Sequence, residues 1–309
     1  MVQLYNSGNF NADEFLETKY VPMNVNWTLW EDGQTGSVGS FTRNGDVTEN
    51  YRVIAADPWG KDTVVWEARP TAVSGADGGW NHATMAVDNT QFYRLSVWVK
   101  RTVQGNGNFY FGTRGYGATD GVYYRDNGTL STNPYFYVTG TFSYLSEWTL
   151  VVGHIWPVGS GMGDEHPDSG RYRVGEGRVA NITRDFVFHA DTTTARHRTY
   201  LYNSTDISTR QQWCYPRFEI IDGNEPSISD LLNGLESRNE DYYRAAGGNI
   251  AQPMSVYADQ VRVTMMDETQ TLTKEMQLYP KTCKVNGIFN EVDEDDSGGI
   301  TRSGWTVTI

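Results

Sequence analysis

The chain has almost no cysteine and fewer basic than acidic residues. Two cysteines in 309 residues, Cys214 and Cys283, exclude a disulfide scaffold and a four-cysteine zinc site and leave at most one long-range bridge. Lys and Arg total 25 against 38 Asp and Glu, a formal charge of −13. A surface evolved to neutralise phosphates carries the opposite sign, so nucleic acid is not an expected partner. No run approaches the ~20 consecutive apolar residues of a membrane-spanning helix, so no membrane insertion is expected. Residues 1–11 carry neither the basic cluster nor the apolar stretch of a secretion signal, and none is expected. The easily read catalytic signatures are missing as well. There is no H-E-x-x-H, no G-x-S-x-G, and no Gly-rich loop followed by Lys-Ser or Lys-Thr, which removes the readily recognised protease, hydrolase and NTPase classes. The histidines His82, His154, His166, His189 and His197 fall in no metal-ligand spacing.

What the chain has in quantity is glycine, with 32 residues, and aromatics, at 13%. That balance suits strands and turns, and the large apolar rings separate the sequence from chains that stay disordered. The length allows two domains of ~150 residues or one large β domain with an appendage. From 26 to 225 short β-type runs alternate with Gly, Asn, Asp and Pro clusters, the pattern of a sandwich or barrel. In 93–100, period-two alternation sets Tyr93, Leu95, Val97 and Val99 against Arg94, Ser96, Trp98 and Lys100, with Trp98 on the polar side. In 148–156 both faces are apolar, as in the middle of a two-sheet stack. Further strands are expected at 63–68, 108–112, 185–189, 198–202 and 217–221. After Pro226, Ser227 with Asp230 forms an N-cap signal, and Ile228, Leu231, Leu232, Leu235, Tyr242 and Ala246 recur at helical spacing until Gly247-Gly248. The tail from 254 returns to β character. The expected organisation is therefore an N-terminal arm (1–25), a sandwich (26–226), a helical connector (227–248) and a small C-terminal β unit (249–309).

Chemistry has few candidates. The cluster Asp164-Glu165-His166-Pro167-Asp168-Ser169-Gly170 packs acids around a histidine but, flanked by glycines, reads as a surface loop. A pair of glycosidase carboxylates leaves no trace in sequence, because its spacing is spatial. Tryptophan and tyrosine stack on the apolar faces of sugar rings, while Asn, Asp, Arg and Gln take the hydroxyls, so the aromatic supply suits a glycan binder. Trp66, Trp148 and Trp156, in strand-like runs, are expected in the core. Trp59, Trp80 and Tyr116, beside Gly or Pro, are the platform candidates, with Trp98 between the two groups. For a cofactor the sequence offers calcium. Asp293-Glu294-Asp295-Asp296-Ser297-Gly298-Gly299-Ile300 matches the start of an EF-hand-type loop, with Asp293, Asp295 and Ser297 as alternating oxygen ligands. Its twelfth position is Gly304, where a bidentate Glu is expected. Four Asn-x-Ser/Thr triplets, at Asn26, Asn127, Asn181 and Asn203, are read as chance occurrences in an Asn- and Thr-rich β protein.

Several segments in fixed order also carry a family resemblance. Trp66-Glu67-Ala68-Arg69-Pro70, Asp77-Gly78-Gly79-Trp80-Asn81, the strand 93–101, Gly112-Thr113-Arg114-Gly115-Tyr116 and Asn133-Pro134-Tyr135 come first. The run 148–157, His166-Pro167-Asp168-Ser169-Gly170, Arg196-His197-Arg198-Thr199-Tyr200 and 216–226 follow. Together they resemble a jelly-roll module of structural proteins of tailed bacteriophages, especially viruses of marine cyanobacteria. The resemblance spans about 60–232, more than half of the chain. It implies an all-β jelly-roll β-sandwich akin to carbohydrate-binding modules, on a tail fibre, baseplate or capsid-surface appendage at the exterior of the virion. It implies no catalytic residues, and as partners other virion proteins, further copies of the chain (a trimer) and a host cell-surface glycan. The expected sugar contacts are Trp59, Trp80, Trp98, Arg114 and Tyr116. The rival readings are a purely structural particle protein without sugar affinity, a polysaccharide-degrading enzyme and a secreted bacterial adhesin.

Overall fold

The computed structural model describes residues 25 to 234, without 26 and 224, and beyond them the backbone of five short strands. In chain order the strands are β1 (Val2–Tyr5), β2 (Phe41–Arg43), β3 (Asn50–Ala56), β4 (Asp62–Ala68), β5 (Ala76–His82), β6 (Met85–Ala86), β7 (Tyr93–Val103), β8 (Asn108–Tyr116), β9 (Val122–Tyr124), β10 (Leu130–Ser131) and β11 (Tyr135–Thr139). There follow β12 (Thr149–Trp156), β13 (Gly170–Arg173), β14 (Gly177–Ala180), β15 (Phe186–Phe188), β16 (Thr194–Tyr202), β17 (Arg210–Ile220) and one short helix, α1 (Ile228–Leu232). The last four are β18 (Val261–Met266), β19 (Leu272–Leu278), β20 (Ile288–Phe289) and β21 (Val307–Thr308). β1 pairs parallel with β18, which pairs antiparallel with β19, and β20 pairs with β21.

Two sheets form the sandwich. The larger runs β10-β9-β15-β12-β7-β17-β4-β3, with β13 and β14 attached beside β12, and the smaller runs β11-β8-β16-β5-β2, with β6 beside β16. The chain crosses repeatedly between them: β3 and β4 belong to the larger, β5 to the smaller, β7 to the larger, β8 to the smaller, β12 to the larger, β16 to the smaller and β17 to the larger. These long-range returns are those of a jelly roll, and the all-β sandwich expected from sequence is the fold. β12 takes two partners on one edge, antiparallel β13 at Leu150 to Val152 and parallel β15 at Ile155 and Trp156. Seven of its eight residues are buried, as its two apolar faces require.

Between the sheets lies an aromatic core. Trp30 meets Phe41 at 5.0 Å, Trp66 at 5.7 Å and Trp80 at 5.3 Å between ring centroids, all edge-on, and Trp80 meets Trp213 edge-on at 5.5 Å. Each such pair adds roughly 0.5–1.5 kcal/mol beyond its area burial. Asn50 knits the rim of this cluster. Its side-chain oxygen accepts from the Trp66 indole and from the Gly79 amide, both at 2.9 Å, and its amide donates to the carbonyls of Asn44 and Asp46 at 2.8 Å. Cys214 is buried in β17, and Cys283 lies outside the described residues.

The outer face of the larger sheet is not solvated. Along β7 the side opposite the core carries Arg94, Ser96 and Trp98, and all three are buried. The segment after β17 lies against it. Arg94 donates to the Pro226 carbonyl at 2.7 Å, and the Trp59 indole donates to the Leu232 carbonyl at 2.8 Å. Of the connector expected over 227–248, the described part is the short helix α1. Ser227 caps it reciprocally with Asp230 as expected, but the cap at its other end is Asn233, followed by Gly234 at φ +83°. A left-handed glycine at that point is a helix stop, and it precedes the Gly247-Gly248 pair by more than ten residues. Residues 235–250 lie outside the described residues, as do the boundaries expected for the arm and the C-terminal unit.

Candidate functional site

The outer face of the smaller sheet is the open one. β8 and β16 lie side by side in antiparallel register, Tyr110 opposite Tyr200 and Gly112 opposite Arg198, and β5 flanks β16 with Asn81 opposite Arg198. Strand alternation sends Phe109, Phe111, Ala195, His197 and Leu201 into the core. It leaves Tyr110, Arg114, Tyr116, Arg196, Arg198, Tyr200 and Tyr202 on the other side. Asn44, just past β2, and Asn133, just before β11, close the ends. Together with Asn81, Tyr110, Tyr135, Arg198, Tyr200 and Tyr202 they line a groove of about 330 Å³.

Four tyrosines make its wall and floor as a closed ring of contacts. Tyr110 meets Tyr135 at 4.8 Å and Tyr202 at 5.7 Å, while Tyr200 meets Tyr202 at 5.6 Å and Tyr135 at 6.2 Å, all edge-on. Tyr135 can lie across β8 because the residue beneath it is Gly112. A Cβ there would stand 2.7 Å from the Tyr135 ring and 2.4 Å from the Pro134 carbonyl. Polar groups fix the rings: the Tyr200 hydroxyl donates to Asn81 Oδ1, and the Tyr202 hydroxyl donates to Asn44 Oδ1 at 3.2 Å. Arg198 is held flat in the wall, donating to Asn133 Oδ1 at 2.8 Å and to the Pro134 carbonyl at 2.9 Å, with its guanidinium 4.3 Å from the Tyr135 ring. Burial pushes the phenols of Tyr135 and Tyr200 up from their ordinary value against the pull of Arg198, so both remain neutral donors and acceptors.

No carboxylate lines this groove. Its surfaces are apolar ring faces alternating with amides and one guanidinium, which suits stacking and hydroxyl recognition and offers no acid–base pair of the kind glycoside hydrolysis uses.

The sequence-derived contact set divides. Arg114 and Tyr116 lie on the groove side of β8, beyond Gly112, with the Arg114 guanidinium 5.0 Å from the Tyr116 ring and bonded to Asp120 at 2.8 Å. Trp80 does not face outward. The run expected to be a Gly-flanked loop is strand β5, whose inward parity buries Trp80 completely among Trp30, Trp66 and Trp213, and no ligand reaches it. Trp98 is 1% exposed, because the polar side of β7 is covered and its indole packs on Trp59 at 5.3 Å. Trp59 is half-buried on that same outer side of the larger sheet, away from the groove. The expected calcium ligands Asp293, Asp295 and Ser297 lie outside the described residues. Among the described residues no three His, Cys, Asp or Glu side chains converge on a metal-sized site.

The acid-rich cluster around His166 is a structural pin. Asp185, fully buried, accepts from the His154 amide at 2.8 Å, from the His166 amide at 2.7 Å and from the Ser169 hydroxyl at 2.7 Å. Ser169 in turn meets His154 Nδ1 at 2.7 Å. Serine, histidine and aspartate are together, but the hydroxyl bonds the carboxylate directly and is itself fully buried, so no substrate reaches it.

Sequence reasoning placed platforms in loops and missed Asn44, Asn81, Tyr110, Asn133, Tyr135, Arg198, Tyr200 and Tyr202. A signal was present: Arg198, Tyr200 and Tyr202 alternate with Thr199 and Leu201, so one side of that strand carries three stacking or hydrogen-bonding side chains.

No protein-family model matches the sequence, and no curated protein does. Several solved structures share its shape loosely. A xylan-binding domain of carbohydrate-binding module family 22 is 13% identical and aligns 62% of this chain with 97% of its own at a TM-score of 0.32. The C-terminal family 22 module of Clostridium thermocellum endo-1,4-beta-D-xylanase 10B is 14% identical, with 64% and 98% covered, at a TM-score of 0.32. A family 4 carbohydrate-binding module is 9% identical, with 59% and 95% covered, at a TM-score of 0.30. At such scores the functional reading rests on the groove itself.

Proposed function

We propose that this chain is a non-catalytic glycan-binding protein whose ligand lies in the groove on the smaller sheet. The observation that carries this is the ring of Tyr110, Tyr135, Tyr200 and Tyr202, bordered by three asparagines and Arg198 and lined by no carboxylate. Tyrosine faces stack on pyranose C–H surfaces, and the side-chain amides supply the paired donor and acceptor that ring hydroxyls need. The sequence resemblance supplies the wider setting: an appendage on the exterior of a phage particle, assembled with other virion proteins and repeated in symmetric copies, so that a weak site gains avidity at a host surface.

The test is affinity electrophoresis of the full chain through gels containing polysaccharides, with Tyr135→Ala and Tyr202→Ala beside wild type. Retardation that both variants lose while retaining a cooperative melt is the expected result. Retardation unchanged in both variants removes the groove from the reading. Absence of any retardation on a broad glycan panel favours the purely structural particle protein, and release of reducing ends from a retarding polysaccharide overturns the non-catalytic assignment.

A further inference from the structure

One end of the groove concentrates positive charge on a protein whose net charge is −13. Arg196 and Arg114 are direct cross-strand partners on β16 and β8, a placement in which like charges repel. Arg198 follows on the same side of β16, two residues, or about 7 Å, along the strand. Both guanidiniums of the opposed pair rest on one ring: Arg114 stands 5.0 Å and Arg196 4.8 Å from the centroid of Tyr116. Among the described residues the one acid paired with any of these three cations is Asp120, bonded to Arg114. Arg198 has its terminal nitrogens engaged by Asn133 and Pro134, whereas the Arg196 guanidinium makes no hydrogen bond or ion pair with any described residue. The Nε atoms of all three arginines and the Tyr116 hydroxyl are buried without a partner among the described residues. Burial pulls the Arg196 guanidinium below its ordinary value, and Arg198 and Arg114 add to that against the opposing pull of Tyr200.

Apposed arginines are retained where something negative completes them. The ring of tyrosines ends at Arg198, and the basic end continues it along the same face of β8 and β16 from Tyr110 to Tyr116, about 20 Å of strand. We propose that the groove takes an acidic glycan, a chain whose pyranose rings lie on the tyrosines while a carboxylate or sulfate substituent is seated between Arg196 and Arg114. This rests on the glycan-binding reading and adds the charge class of the sugar. A guanidinium meets either oxyanion through paired N–H donors, so the two substituents share one chemistry at this site. A net charge of −13 sets long-range repulsion against every polyanion, so preference for an acidic glycan has to come from this local basic end.

The experiment measures dissociation constants of the full chain for polygalacturonate, a sulfated galactan, a neutral xylan and single-stranded DNA, at two salt concentrations. Preference for either acidic polysaccharide over the neutral one, weakening with salt and exceeding DNA, is expected; which of the two binds identifies the substituent. Arg196→Gln lowers the acidic-to-neutral affinity ratio about tenfold, and Arg196→Lys restores part of it. A neutral glycan bound as tightly as the acidic ones, or a ratio unmoved by Arg196→Gln, overturns the acidic assignment and leaves the glycan reading intact. Equal binding of DNA and acidic polysaccharide reduces the site to unspecific charge attraction and overturns it as well. Failure to bind any of the polysaccharides overturns both.

Discussion

Replacing Glu219 with glutamine removes one charge and almost no volume, yet it is expected to be among the most damaging single changes in the sandwich. Glu219 sits on β17 with no exposed surface. One of its oxygens accepts from Arg94 Nε at 3.1 Å and Nη2 at 2.7 Å; the other accepts from Arg217 Nε at 2.7 Å and from Arg217 Nη2. Both arginines are themselves buried. In Glu219→Gln an amide donor faces a guanidinium donor, and two buried cations lose their counter-charge. Breaking a buried ion pair from one side costs about 3–5 kcal/mol. For a domain of this size 1 kcal/mol moves Tm by roughly 2–4 °C, so the melt is expected to fall by roughly 6–20 °C.

The pH profile gives an independent reading of the same network. Burial opposes the Glu219 charge, but Arg217 and Arg94 outweigh it and hold the carboxyl below its ordinary value. A depressed carboxylate contributes stability above its unfolded pKa and loses it as pH falls through the folded value. Wild type should therefore lose this stability on acidification from about pH 4 downward, and the variant should lack that part of the acid limb. Replacing the set together, by Arg94→Met, Arg217→Met and Glu219→Leu, should recover most of the loss, because no buried charge is then left without its partner. Calorimetric melts from pH 3 to pH 8 check all three statements. A Glu219→Gln protein melting within about 2 °C of wild type at pH 7 would refute the reasoning.

Asp77 titrates in the opposite sense. Burial first, and Glu49 second, push its carboxyl up to about 6 against the opposing hydrogen bond from the Ser204 amide, so stability tied to its protonated form is lost as pH rises through about 6. Asp77→Asn keeps an acceptor for Ser204, and its Tm relative to wild type should climb by a few degrees between pH 4.5 and pH 7.5; a constant difference counts against a buried, strained carboxylate. Calcium binding at Asp293, Asp295 and Ser297 is proposed from the loop sequence alone, and predicts a melt of the full chain that rises in millimolar calcium, falls in chelator and becomes insensitive to both in Asp295→Asn. Identical transitions with and without chelator remove that loop as a site.

The sandwich was legible because its signals are local. Alternation in 93–100 and the doubly apolar run 148–156 specify a two-layer β structure, and both runs form strands in the larger sheet. What the period cannot say is which second face is wet. Arg94, Ser96, Trp98 and Lys100 read as a polar side, but three of these four side chains are buried, Arg94 bonded to the Pro226 carbonyl and Trp98 packed on Trp59, which itself bonds the Leu232 carbonyl. For Arg94 both the carbonyl of Pro226 and the counter-charge of Glu219 come from more than a hundred residues downstream. The expected connector is described only at its start. Apolar recurrence through Ala246 suggests a long element; the first turn, α1, is capped by Ser227 as that pattern implies, and Gly234, with its φ of +83°, interrupts it at a position the spacing pattern does not mark.

The groove was harder to find for a reason that follows from its construction. Its residues come from four strands and two loops, and no two adjacent positions in the chain contribute unless a turn intervenes, because alternate residues belong to the core. A sequence reading that looks for aromatics beside Gly or Pro selects turns, where Trp59 proves to be packed. It passes over Tyr110, Tyr200 and Tyr202, which sit inside strands and are reachable only because the sheet's outer face lacks a covering layer. Tryptophan was a poor guide for the same reason: Trp30, Trp66, Trp80 and Trp213 fill the space between sheets, where area and not a polar tip is needed. Tyrosine carries a hydroxyl that needs a partner, and on the open face Tyr200 and Tyr202 find theirs in Asn81 and Asn44. Of the segments that carry the sequence resemblance, Asp77 to Asn81, Gly112 to Tyr116, Asn133 to Tyr135 and Arg196 to Tyr200 all contribute to this one face. These segments, far apart in sequence, meet only once the smaller sheet has formed.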